Sequence, residues 1–159
     1  MFRAAIAEGT ELGRLVEPLL ASGQLVPDET TIAIIRDRLA RDDAQAGFVL
    51  DGFPRNIAQA EALDAMLEEI DRPLSGVLLL ELADETARER LETRAVLEGR
   101  ADDLPDVIDR RLRDYHEQTE PVVAHYLATG KLVKMHAERP IDEVWAEMAD
   151  ALEQVQARA

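Results

Sequence analysis

Phe48-Val49-Leu50-Asp51-Gly52-Phe53-Pro54-Arg55 is the stretch that decides the fold class of this chain. Phe48, Val49 and Leu50 form a short apolar run that reads as a buried strand. Asp51-Gly52 ends it in a tight turn, Pro54 forbids ladder continuation, and Arg55 leads into a helix capped by Asn56. An acid and an arginine are thereby delivered to the carboxyl end of a strand, where open α/β sheets receive their ligands. Residue chemistry alone suggests an anion site, and plain turn chemistry at Asp51-Gly52 fits equally well.

Outward from this stretch, helical and strand patterns alternate. Upstream lie three helices. One runs over residues 2–8, one from Thr10 as N-cap to Gly23 as C-cap, and one starts at Pro27 with Ile32, Ile35 and Leu39 on a face. Downstream, a stripe of Ile57, Ala60, Leu63, Leu67 and Ile70 marks a helix that Arg72-Pro73 breaks. Gly76 to Leu82 is nearly continuous in apolar residues, as expected of a parallel strand covered on both faces. Asp84 caps a helix reaching Leu97, and a charged turn covers Gly99 to Asp103. A long helical region then runs from Pro105 to near Gly130, interrupted or restarted at Pro121. Leu132 to Met135 reads as a third strand. Pro140 opens a last helix carrying Ile141, Val144, Trp145, Met148 and Leu152, with Trp145 expected in the core. Strands alternating with helices mean an α/β fold with a parallel sheet.

The 159 residues suffice for one domain with a sizeable core. There is no cysteine, which removes disulfides and thiolate metal sites, and with three histidines no zinc is expected. The N-terminal residues lack a signal peptide's apolar core, and no apolar run approaches membrane-spanning length, so a soluble cytoplasmic protein is expected. The net charge of −15 argues against nucleic-acid polymers and anionic membranes as partners. It leaves room for a small phosphate ligand held by a few cations. Of 18 basic residues only Lys131 and Lys134 are lysines, so bidentate phosphate recognition here must come from arginine.

Taken in order, several segments resemble adenylate kinases. Met-Phe-Arg-Ala-Ala at the start resembles the helix of the AMP-binding segment, and Ser-Gly-Gln-Leu-Val-Pro-Asp-Glu the turn that closes it. Asp-Gly-Phe-Pro-Arg with Gln59 resembles the family signature. Gly-Arg-Ala-Asp-Asp resembles the exit of the lid, and Arg-Arg-Leu-Arg-Asp-Tyr with Thr119-Glu120-Pro121 the helix after it. The resemblance covers essentially all 159 residues. It implies a P-loop NTPase-like three-layer fold in a single domain: residues 1–26 as AMP segment, 27–92 and 104–159 as core, and 93–103 as a short lid without zinc.

The same resemblance implies roles. Arg3, Gly52, Phe53, Pro54 and Arg55 would hold AMP by its phosphate. Gln24, Leu25 and Val26 would line the adenine slot through backbone groups, and Gln59 would read the base. Arg90 and Arg94 match the arginines entering the lid, Arg94 being the ATP contact. Arg100 and Arg111 match the pair that embraces the transferring phosphoryl and reaches AMP. Arg139 would meet ATP through its backbone, and Asp51 would act through water on the Mg²⁺ carried with ATP. The partners implied are ATP, AMP and ADP, and the state a monomer. Without the resemblance, each helical arginine fits a solvated helix face as well.

The family's first strand, with a Gly-rich loop ending Gly-Lys-[Ser/Thr], has no counterpart in the 159 residues: the one Gly-Lys, at Gly130-Lys131, is followed by Leu132. The expectation is therefore of a chain lacking the central first strand and the Walker A loop, with edges left unpaired, marginal stability and impaired catalysis. An AMP-binding remnant and a kinase for another base stand as alternatives.

Overall fold

Local capping sets most of the helix ends. The computed structural model describes residues 1–156, and these divide into two compact units. The first comprises Met1–Phe48 and Arg88–Asp114; the second comprises Val49–Ala87 and the chain from Tyr115 onward.

In the first unit, α1 (Phe2–Ala7) and α2 (Glu11–Ala21) are joined by Gly9 and Thr10. The Thr10 hydroxyl accepts from the Gly13 N–H at 3.0 Å and donates to the Ala5 carbonyl at 3.1 Å, so one side chain caps α2 and ties it to α1. At the far end Gly23 (φ +73) takes the left-handed position, with Gln24 N–H donating to Leu19 O at 2.9 Å and Gly23 N–H to Leu20 O at 3.0 Å. Helix α3 (Asp28–Leu39) buries Thr31, Ile35 and Leu39, spaced one turn apart. Most of α5 (Asp84–Glu98) and all of α6 (Pro105–Asp114) complete the unit; Ile108 of α6 is fully buried.

The second unit holds α4 (Ile57–Glu69), β1 (Val77–Glu81), α7 (Glu120–Ala128), β2 (Leu132–His136) and α8 (Ile141–Gln156). Strands β1 and β2 pair in parallel, from Val77 opposite Leu132 to Glu81 opposite His136. The core gathers Ala60 of α4 with Val122 and Tyr126 of α7, flanked by Ile57, Leu74, Val77 and Leu132. The fold is thus α/β with a small parallel sheet and mostly helices, and among the described residues no helix is long and apolar enough to cross a membrane.

Several expectations need correction. Gly47 to Leu50 forms no strand, and Val49 is 87% exposed, because a strand exists only where a neighbour completes its ladder. Strand β1 is not covered on both faces; its residues are half-buried and Leu80 is exposed. Ala83, not Asp84, precedes α5, its carbonyl accepting from the Ala87 N–H at 2.9 Å. The long helical region does restart at Pro121, which sits in the first turn of α7, but what precedes it is a π-helical turn over Tyr115–Thr119 that the pattern does not predict. On α8 the buried stripe is Val144, Ala151 and Val155, while Trp145, one residue round the helix from Val144, is 69% exposed.

Helix α4 ends in the same manner as α2 but with Asp71 in the left-handed position (φ +52), Arg72 N–H reaching back to Leu67 O at 2.9 Å. A β-carbon is strained there and glycine is not. Asp71→Gly is expected to stabilise the protein by about 0.5–1 kcal/mol, read as a higher urea midpoint at constant slope.

Candidate functional site

The Asp51–Arg55 loop lies in the second unit and is tied down at its arginine. The Arg55 N–H donates to Gln59 Oε1 at 2.8 Å, its Nε donates to the Gly52 carbonyl at 2.7 Å, and its own carbonyl accepts from the Thr119 hydroxyl at 2.8 Å. Gly52 (φ +71) is required for its backbone conformation, and a Cβ there would also crowd the Arg55 guanidinium, whose Nη2 would stand 3.0 Å away. Gln59 is only 2% exposed, and its N–H donates to the Asn56 cap at 2.9 Å. Phe53 is buried, Pro54 half-buried and Asp51 exposed. A guanidinium with this much of its arm fixed gives up little entropy on gripping an oxyanion.

The first unit brings four of the sequence-assigned arginines onto two adjacent carboxylates. Arg3 meets Asp102 through both terminal nitrogens, at 2.6 and 3.3 Å. Arg100 donates to Asp102 at 3.0 Å and lies 3.2 Å from Asp103. Arg94, on α5, forms a two-pronged pair with Asp103 at 2.6 and 2.9 Å. Arg111, on α6, donates to Asp103 at 2.5 Å and to the Asp102 carbonyl at 3.0 Å. Asp103 is 1% exposed, whereas the Arg94, Arg100 and Arg111 side chains keep 18–33% of their surface. Burial pushes both carboxyls upward, but the hydrogen bonds and charges of the arginines overcome it and leave both acids below their ordinary range. Hydrogen bonding to Asp102 in turn raises the Arg100 guanidinium. Positive charge exceeds negative charge within this cluster, in a chain that is strongly acidic as a whole.

The segment assigned to adenine begins beside this cluster, since a Cβ on Gly23 would stand 3.3 Å from Arg111 Cγ. Gln24 is exposed, Leu25 half-buried and Val26 buried, with the Val26 carbonyl accepting from the Thr31 hydroxyl at 3.4 Å. Arg90 is exposed on α5, one turn before Arg94. Arg139, in the second unit, turns its side chain to Glu147 and to the His136 carbonyl. The sequence reading gave Asp102 and Asp103 no role, although two acids at the second and third positions after Arg100 are a signal for arginine neutralisation. It also gave Thr119 none.

A second acidic cluster surrounds His116 in the π turn. His116 Nδ1 lies 2.9 Å from Glu120 of α7, and its Nε2 2.9 Å from Asp84 of α5. The Tyr115 ring stands edge-on beside it, and Glu81 at the end of β1 is paired with Lys134 at 2.8 Å. The hydrogen bond to Glu120, then that to Asp84, raises the His116 value above its ordinary 6.5. A raised folded value means the stabilisation is fully present below pH 6.5 and is lost as pH climbs through the folded value. The melting temperature is therefore expected to fall between pH 6 and pH 8.5 by more than it does in His116→Gln; equal falls would sink this assignment.

The fold is α/β, with one arginine fixed in the Asp51–Arg55 loop and four others gathered on a pair of adjacent carboxylates. A family model described as adenylate kinase matches residues 1–131. The adenylate kinase of Thermobifida fusca (strain YX) is 49% identical over 152 residues, spanning 96% of this chain and 80% of the relative. That of Parvibaculum lavamentivorans (strain DS-1) is 44% identical over 155 residues, spanning 96% of this chain and 76% of the relative. That of Stenotrophomonas maltophilia (strain K279a) is 41% identical over 152 residues, spanning 96% and 81%. The chain belongs to the adenylate kinase family.

Proposed function

We propose that the chain acts in reversible phosphoryl transfer between ATP and AMP to give two ADP. The observation that carries this reading is the convergence of Arg3, Arg94, Arg100 and Arg111 on Asp102 and Asp103. Phosphoryl transfer spreads charge over three equatorial oxygens, so its catalyst needs pre-positioned cations rather than a nucleophile or strong base. Arg3 and the Gly52–Arg55 loop, with Phe53 and Pro54, take the AMP phosphate, and Gln24, Leu25, Val26 and Gln59 take adenine. Arg94, Arg100, Arg111 and Arg90 face the transferring phosphoryl, with residues 93–103 as a short lid that excludes water. The Arg139 backbone meets the ATP base.

Asp102 and Asp103 are committed to arginines and are unsuited to a metal, whereas Asp51 is exposed and fits a water-mediated contact to Mg²⁺. The ion arrives with ATP and neutralises phosphate charge. On this reading the protein is a cytoplasmic monomer serving adenine-nucleotide balance.

AMP binding without transfer is the second reading that the test separates from the first. Calorimetric titration with AMP, run beside an assay of ADP formation from ATP and AMP, separates the two. AMP heat with ADP formation is expected. AMP heat alone selects the second reading, and neither signal from folded protein removes both. Turnover preferring UMP or CMP would reassign the base.

A further inference from the structure

The π turn over Tyr115–Thr119 leads directly into α7 within the second unit. A π turn adds a residue to the helix and rotates the downstream turns by about 100° relative to an α-helical continuation. Such insertions are stable only where the surroundings hold them, and they collect at functional sites. Here one consequence is visible at the turn's last residue. The Thr119 hydroxyl donates to the Arg55 carbonyl at 2.8 Å, across 64 residues of sequence, and both residues lie in the second unit. The turn itself is fastened through His116, held between Asp84 and Glu120.

We propose that Thr119 is a positioning residue for binding a nucleoside monophosphate by its phosphate group, acting by holding the Arg55 backbone. This rests on the reading of Arg55 as a phosphate ligand. Among the ties on Arg55 are its N–H on Gln59, its Nε on Gly52 and its carbonyl on Thr119. The first two come from within the loop and its own helix, so they move with the loop. Thr119 alone of the three belongs to another element, the π turn that opens α7, and α7 packs against α4. Removing its hydroxyl loosens the Arg55 backbone and takes Arg55 off the phosphate, while the base, read through Gln59 and the Gln24–Val26 segment, is affected less.

The test titrates AMP and adenosine separately into the full chain and into Thr119→Val, Thr119→Ala, Thr119→Ser and Arg55→Ala, each first shown to be folded by thermal melting. Loss of one net hydrogen bond predicts AMP affinity weakened by roughly three- to tenfold in the Val and Ala variants. The Ser variant should return to within about twofold, and adenosine affinity should fall by clearly less than AMP affinity, because adenosine has no phosphate for Arg55 to grip. Equal losses for AMP and adenosine would show a general loosening and overturn the proposal. AMP affinity unchanged in Val and Ala, but weakened in Arg55→Ala, would overturn Thr119's role and leave the phosphate reading standing. AMP affinity unchanged in Arg55→Ala, or no AMP binding to the folded parent, would overturn both.

Discussion

On the proposed role of Arg111, Arg111→Ala is expected to lower ADP formation from ATP and AMP by about 10³-fold or more, with little change in thermal stability. The two halves of that expectation come from different contacts. Arg111 donates to Asp103 and to the Asp102 carbonyl, so its guanidinium is already aimed before any substrate arrives. Preorganised cations of this kind act on charge that develops only in the transition state, where an arginine is worth about 10³–10⁵ in rate. The stability half follows from redundancy: with Arg111 gone, Asp103 keeps Arg94 at 2.6 Å and Arg100 at 3.2 Å, so no buried carboxylate is left alone. Arg111→Lys should recover only part of the rate, since an ammonium cannot reproduce the two-acceptor geometry of a guanidinium. Steady-state rates with both nucleotides saturating, beside melting curves, check this. A loss under tenfold would move Arg111 out of the transfer machinery.

The parts of the fold that were legible in the sequence are those decided locally. Thr10 and Asn56 cap their helices through bonds to residues three positions on, and Gly23 closes α2, because such signals need nothing distant. Phe48–Leu50 misled because β-structure is made by the neighbour, and apolar character alone cannot supply one. Helix α8 misled for a different reason. Its apolar residues form two overlapping stripes, one through Val144, Ala151 and Val155 and one through Ile141, Trp145, Met148 and Leu152. Packing against β2, which no periodicity reveals, buries the first. The π turn was hidden likewise, since one inserted residue barely disturbs a helical pattern.

The candidate site divides along the same line. Arg55, Gly52 and Gln59 could be picked out because a rare string carries them, and the structure adds that the loop is held at three points. The role of Asp103 could not be read at all. An acid in an arginine-rich turn reads as a solvated charge, and only coordinates reveal that it is buried beneath three guanidiniums.

That burial makes Asp103→Ala the most damaging single change expected for the first unit, at about 2–4 kcal/mol. Removing one member of a buried ionic group costs more than the group contributed, because the remaining charges lose their partner without regaining water. Three guanidiniums would repel one another at contact distance; their partial exposure keeps the figure below that of a fully buried pair. Asp103→Asn retains the shape and an acceptor oxygen, so it should fall between the parent and the alanine variant. Acid sensitivity supplies an independent check. Asp102 and Asp103 both titrate below their ordinary 3.8 when folded, so their stabilisation is complete above that pH and drains away as pH falls toward the lowered values. The parent should therefore lose stability progressively below about pH 4, and Asp103→Ala, already lacking half of the group, should show a shallower acid slope from a lower plateau. Urea unfolding at pH 7 and at pH 3 measures both quantities. Equal midpoints for parent and alanine variant at pH 7 would mean that the cluster is solvated and adds nothing, as most surface ion pairs do.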